Sequence, residues 1–178
     1  MLLRCPSALL AQVPGVPLPN EDGDGDFGIE GPEALPNFGK VGPGSYRSGQ
    51  PNREGLAKLA ALGVKPIVSI REKVDGAERD EASRLGMTVI HIPMSGLTAP
   101  SYAEADKVVA LLADPARGPI AVHCRFGKDR TGFSVAAFRV ARERMAIDAA
   151  EREAKSYNCC VFTFGSLKNW LEGYLKPR

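Results

Sequence analysis

HCRFGKDRTG, residues 123–132, decides how the rest of the chain is read. Cys124 and Arg130 stand six positions apart, with Gly127, Lys128, Thr131 and Gly132 around them. A thiolate and a guanidinium at that spacing can face one small anion, provided the segment between them forms a tight loop. The flanking residues supply the frame for such a loop. PIAVH (119–123) is a short apolar run that reads as a buried strand delivering Cys124. TGFSVAAFRVARERM (131–145) spaces Phe133, Ala136, Ala137, Val140, Ala141 and Met145 as one apolar face with arginines opposite, an amphipathic helix. The loop therefore falls at the carboxyl edge of a sheet and on the positive end of a helix, where free backbone N–H groups can hold a phosphate.

The side chains suit that anion. Arg130 can grip two phosphate oxygens bidentately, which a lysine could not do. Gly127 and Gly132 let the backbone approach closely. The N–H groups, the helix end and Arg130 together favour the thiolate form of Cys124, a group capable of attacking phosphorus, and Thr131 can return a hydrogen bond to the sulfur when it departs. Arg125, Phe126 and Lys128 fill the variable positions and line the mouth of the loop.

At these residues the chain resembles a family. Strand–HCxxGxxRT–helix is the signature loop of the cysteine-dependent protein tyrosine and dual-specificity phosphatase superfamily, and it is matched at His123, Cys124, Gly127, Arg130, Thr131 and Gly132. NFGKVGPGSYRSGQP (37–51) is similar to the entry segment of the compact atypical dual-specificity members. The resemblance implies a two-step hydrolysis through a cysteinyl-phosphate, with no cofactor and no metal. Cys124 is then the nucleophile, Arg130 the phosphate clamp and His123 a support for the backbone around the nucleophile. Expected substrates are a phosphorylated protein or, as an alternative, a phosphoinositide or inositol phosphate. A catalytically weak phosphate-binding module is the non-enzymatic reading.

One departure from the family pattern stands out. The general acid that protonates the leaving group normally comes from a loop about thirty residues before the cysteine. Here that loop is PMSGLTAPSY (93–102), which has no carboxylate. Asp129, inside the signature loop, is the expected substitute, because similar phosphatases with KDRT in the loop look able to use that carboxylate; the alternative role for it is an ion pair with a neighbouring cation. Asp75, Glu104 and Asp106 are further candidates. Arg71 follows PIVSI at the carboxyl edge of the sheet, where ligands of parallel sheets bind, and fits either a substrate contact or a loop-fixing salt bridge.

Outward from the loop, strands and helices alternate. A strand or turn is expected around Ser45–Arg47, a helix from Asn52 to Leu62, strands at 66–70 and 87–92 and a helix around Glu78–Leu85. Ser101 and Glu104 form a capping box, Asp148 and Glu151 a second one for a helix to Tyr157, and Leu167, Trp170, Leu171, Tyr174 and Leu175 anchor a last helix. This is a single α/β domain, a central mostly parallel sheet flanked by helices, over residues 37–178.

Residues 1–36 read as an extended arm, because its prolines, glycines and acids prevent an apolar face. DGDGDFGIEGPE has acids in a calcium-loop-like order, but Phe27 stands where the turn needs glycine, so a solvated linker is preferred. Six acids against Arg4 alone in 1–39 leave the body basic although the net charge is only +2, which suits an anionic substrate. Nothing points to nucleic acid as a partner. The start is a weak secretory signal, and no segment approaches the roughly 18 apolar residues of a membrane span. Cys5, Cys124, Cys159 and Cys160 show no metal spacing, and the adjacent pair reads as reduced, which with the rest implies a cytoplasmic protein.

Overall fold

The structure, a computed structural model, describes residues 34–160 and 165–177. The arm through residue 33, with its calcium-like acids, its apolar start and Cys5, lies outside the described residues. Five strands, β1 (Gly39–Gly42), β2 (Ser45–Ser48), β3 (Pro66–Ser69), β4 (Thr88–His91) and β5 (Ile120–His123), form one sheet in the order β1-β2-β5-β3-β4. β2, β5, β3 and β4 run parallel and only β1 pairs antiparallel, with β2, so the sheet is mostly parallel as expected. β1 was not anticipated: GKVG offers one large apolar side chain and no alternation, and it is a strand because β2 pairs with it.

β5 sits in the middle, and all four of its residues are buried. Ile120 and Val122 enter a large apolar cluster with residues of α3 (Tyr102–Leu112), α4 (Asp129–Arg142), α5 (Ile147–Ser156) and α6 (Leu167–Tyr174). Ala121 faces the opposite cluster with Ile67 of β3, Leu56 and Leu59 of α1 (Arg53–Ala61) and Ala82 of α2 (Gly76–Arg84). Helices thus cover both faces, which is why β5 is apolar throughout rather than alternating. Each large buried side chain contributes about 1.5–3 kcal/mol.

Local signals explain most helix starts. Asn52 caps α1 by accepting the Gly55 N–H at 2.9 Å, and the Ser101–Glu104 capping box opens α3. The second capping box is a correction. α5 starts after Ala146, so Asp148 is already inside the first turn and cannot cap; its carboxylate instead takes Lys168 Nζ of α6 at 2.9 Å. Trp170 stacks on Tyr174, meets Tyr102 and Phe133 edge-on, and donates to the Pro100 carbonyl at 3.0 Å, tying the end of the 93–100 loop to α6. Among the described residues, no helix is long and apolar enough to cross a membrane.

Candidate active site

Three parallel strands end side by side. Ser48, His123 and Ser69 are in register across β2, β5 and β3, and the chain beyond them stays paired: Ile70 N–H donates to His123 O at 2.9 Å and Gln50 N–H to Arg125 O at 2.8 Å. Cys124 leaves this edge as a free, buried thiol. The chain then turns through Gly127 and enters α4 at Asp129. His123, Cys124, Gly127, Arg130, Thr131 and Gly132 therefore belong to one strand–loop–helix unit, as the motif implied.

Both glycines of the loop are closed in by protein. Gly127 has φ 67°, and a Cβ there would lie 2.5 Å from the Gly49 nitrogen. A Cβ on Gly132 would lie 2.5 Å from Cys159 Sγ. Both positions are needed small because protein packs against them from behind. The Gly127 carbonyl accepts from Arg47 Nη2 at 2.6 Å, and the Arg47 guanidinium lies 3.9 Å from the centre of the Tyr157 ring. Burial pulls the Arg47 guanidinium below its usual range, opposed by the charges of Tyr157, Cys124 and Glu153.

Arg130 is 8% exposed, with Nη1 3.5 Å from the Met94 carbonyl and its guanidinium beneath Gly96, so the 93–100 loop roofs it. Thr131 Oγ1 is buried and has no hydrogen-bond partner among the described residues. Ser134, one turn into α4, is engaged with the Arg130 carbonyl at 2.9 Å. Phe126 and Lys128 are exposed and Arg125 is half-buried, with its guanidinium 5.2 Å from the Phe126 ring centre.

The candidate acids are each held elsewhere. Asp129 Oδ1 accepts the Cys160 N–H at 2.6 Å. Asp75 caps α2 through Ala77 N–H, Glu104 completes its capping box, and Asp106 accepts from Tyr174 Oη at 2.7 Å. The reading of Cys159 and Cys160 as reduced is corrected, since the two are joined by a disulfide. Cys160 has φ 66°, a turn conformation that a plain strand or helix reading does not anticipate. Asp129, Cys159 and Cys160 bring an oxygen and two sulfurs within 4.8 Å of one another, but the sulfurs are bonded to each other and offer a metal no free thiolate.

Sequence reasoning missed the residues behind the strand end. Glu78 of α2, 4% exposed, places Oε1 2.7 Å from His123 Nε2, and both side chains are 1% exposed. Gln50 donates to Glu78 Oε2 at 2.8 Å and accepts from Arg71 Nη1 at 3.0 Å. Burial pushes the Glu78 carboxyl up, but His123, Gln50 and the Arg71 charge outweigh it and hold the group below the usual carboxylate range. Arg71 is drawn into this network at 8% exposure. His91, which had no visible partner in the sequence, lies with Nε2 2.9 Å from the Arg71 carbonyl.

A mostly parallel sheet that delivers a buried cysteine to a helix N-terminus, six positions before an arginine, defines the cysteine-dependent phosphatase class of α/β fold. Residues 43–169 match the family model described as DSP-PTPase phosphatase fused to NAD+ kinase, and the chain belongs to that family. Dual specificity protein phosphatase TpbA of Pseudomonas aeruginosa is 30% identical over 104 residues, 58% of this chain and 46% of that protein. Inositol diphosphatase DSP4 of Arabidopsis thaliana is 30% identical over 108 residues, 58% of this chain and 54% of that protein. The chain thus spans about half the length of these relatives. The catalytic core of the PP-IP phosphatase SIW14 from S. cerevisiae, solved with citrate, shares the fold at a TM-score of 0.72 and 23% identity, covering 80% of this chain and 87% of that one.

Proposed function

We propose that this chain is a phosphatase that hydrolyses phosphate monoesters through a phosphoryl-cysteine at Cys124. The observation that carries the reading is the single strand–loop–helix unit in which buried Cys124 and Arg130 flank the N-terminus of α4. In the first step the Cys124 thiolate forms a bond to phosphorus as the phosphorus–oxygen bond breaks, and the departing oxygen takes a proton. In the second, water attacks phosphorus, the phosphorus–sulfur bond breaks, and phosphate and thiolate are released. Arg130 and the loop N–H groups neutralise the equatorial oxygens throughout, so neither step needs a metal. Thr131 Oγ1, with no other partner among the described residues, receives the role of stabilising the leaving thiolate.

The substrate follows from the acid. The 93–102 loop carries none, and Asp129 is bound to Cys160 N–H. Leaving groups that depart with little protonation are then favoured, a phenolate over an alkoxide, which points to phosphotyrosine on proteins. A second reading rests on the loop cations Arg125 and Lys128 and on a relative named inositol diphosphatase: a diphosphoinositol leaves as a phosphate ester and also needs little acid.

Phosphate release from phosphotyrosine and phosphoserine peptides, phosphoinositides and inositol diphosphates, with and without EDTA, tests this. Wild type is expected to cleave the phenolic or anhydride substrates unaffected by EDTA; metal-dependent release, or release from none of them, contradicts the proposal. Asp129→Asn assigns the acid. If Asp129 supplies the proton, the variant slows an alkyl phosphate by ~10²–10⁴-fold and an activated aryl phosphate hardly at all; equal losses on both assign Asp129 to holding the loop.

A further inference from the structure

The Glu78–His123 pair lies directly behind the proposed nucleophile, and neither sequence motif nor phosphate contact accounts for a carboxylate there. His123 Nδ1 is 3.2 Å from the Cys124 carbonyl and Nε2 is 2.7 Å from Glu78 Oε1. Both ring nitrogens thus face oxygens. A neutral imidazole carries one N–H, so serving both oxygens takes one further proton, on the ring or on the carboxyl between them. Neither Glu78 Oε1 nor His123 Nε2 has another hydrogen-bond partner among the described residues.

Gln50 extends the arrangement. Its amide N–H₂ goes to Glu78 and its carbonyl to Arg71, while its backbone N–H holds the Arg125 carbonyl at 2.8 Å. Glu78 therefore reaches the loop by two routes, to the Cys124 carbonyl through His123 and to the Arg125 carbonyl through Gln50. We infer that Glu78 is a positioning residue for the cysteine chemistry: through His123 it orients the Cys124 carbonyl and fixes the imidazole behind the nucleophile. The inference deepens the phosphatase reading and rests on it for its link to turnover.

The charges around the pair come from three strand ends and α2. Arg71 after β3 and Gln50 after β2 face Glu78, and Arg47 on β2 interacts electrostatically with Cys124. With Glu78→Gln, His123 Nε2 loses its carboxylate partner and the ring its fixed orientation towards the Cys124 carbonyl, which makes the thiolate form of Cys124 less favoured. The deficit is therefore greatest at low pH, where thiolate is scarce, and fades as pH rises.

The test is the rate at which iodoacetamide alkylates Cys124 in the full chain between pH 5 and 9, read on the Cys124 peptide by mass spectrometry. Glu78→Gln is expected to slow alkylation about tenfold at pH 6, with recovery towards wild type at pH 9, the size of a one-unit change in proton affinity. Glu78→Asp, which keeps the charge, restores part of the loss. His123→Asn gives a similar profile, and adding Glu78→Gln to it changes little. Equal rates for Glu78→Gln and wild type, a uniform slowing at every pH, or additive losses in the double variant each overturn the inference. If Glu78→Gln does not fold, Gln50→Leu takes its place: it is expected to give a smaller slowing with the same pH dependence, and no slowing overturns the inference. Alkylation needs no phosphate substrate, so a chain that hydrolyses nothing but keeps this profile refutes only the phosphatase reading. A chain that hydrolyses phosphotyrosine with Glu78→Gln unchanged refutes only the role of Glu78.

Discussion

The two ends of the signature loop are held by opposite means. At the strand end, His123 is backed by a buried carboxylate, an amide and a guanidinium from three other segments, Glu78, Gln50 and Arg71. At the helix end, Gly132 packs on Cys159 and Asp129 accepts a single backbone N–H from Cys160, all from the turn after α5. Under the proposed chemistry the contrast separates two tasks: the strand end sets the surroundings of the cysteine, and the helix end the shape into which a phosphate would fit. Arg47 spans the middle, gripping Gly127 from β2.

Breaking the strand end has the largest expected effect. Glu78→Ala leaves His123 buried beside an uncompensated site and is expected to cost about 3–5 kcal/mol in urea unfolding at neutral pH. The sign of its pH dependence follows from the depressed Glu78 carboxyl. The stability it confers is complete above the ordinary carboxylate value and is lost as pH falls through the folded value, so the gap between Glu78→Gln and wild type narrows in acid. A gap that widens there contradicts an ionised Glu78. Next in size, Arg47→Met strips the Gly127 carbonyl of its charged donor, with an expected cost of about 1.5–3 kcal/mol. A loss confined to catalysis, with the unfolding midpoint unchanged, would show that Arg47 acts on the anion rather than on the loop. At the helix end, Gly132→Ala pushes a methyl group into Cys159 and is expected to cost about 1–3 kcal/mol by overpacking. An unchanged midpoint would mean that the turn after α5 yields freely and does not define the loop's shape.

The sequence was legible where local pattern and position in the fold coincide. The apolar run 119–123 and the spacing of Cys124 and Arg130 marked the strand and the loop, because a strand buried on both faces leaves an unbroken apolar run. The helix after them is corrected in extent and character: α4 ends at Arg142 rather than Met145, is buried on every side from Arg130 to Phe138 and leaves Ala141 exposed, so no single apolar face with arginines opposite describes it. Glu78 and Gln50 leave none. GAERDEASR has two alanines as its only apolar side chains, and Glu78 is buried because three strand ends converge beside it, a tertiary fact with no local pattern. Asp148 misled for a smaller reason: a start one residue before it moved it from cap position into the first turn. At Gly132 the structure adds a neighbour that no local pattern announces, Cys159, against which a Cβ would press.

The central claim is a covalent phosphoryl group on Cys124. Wild type turning over a phosphotyrosine peptide, quenched in acid and digested, should show one phosphoryl group on the peptide carrying Cys124, and Cys124→Ser should show neither the adduct nor turnover while still binding the peptide. Turnover retained by Cys124→Ser, or a phosphoryl group trapped on any other residue, would contradict the account.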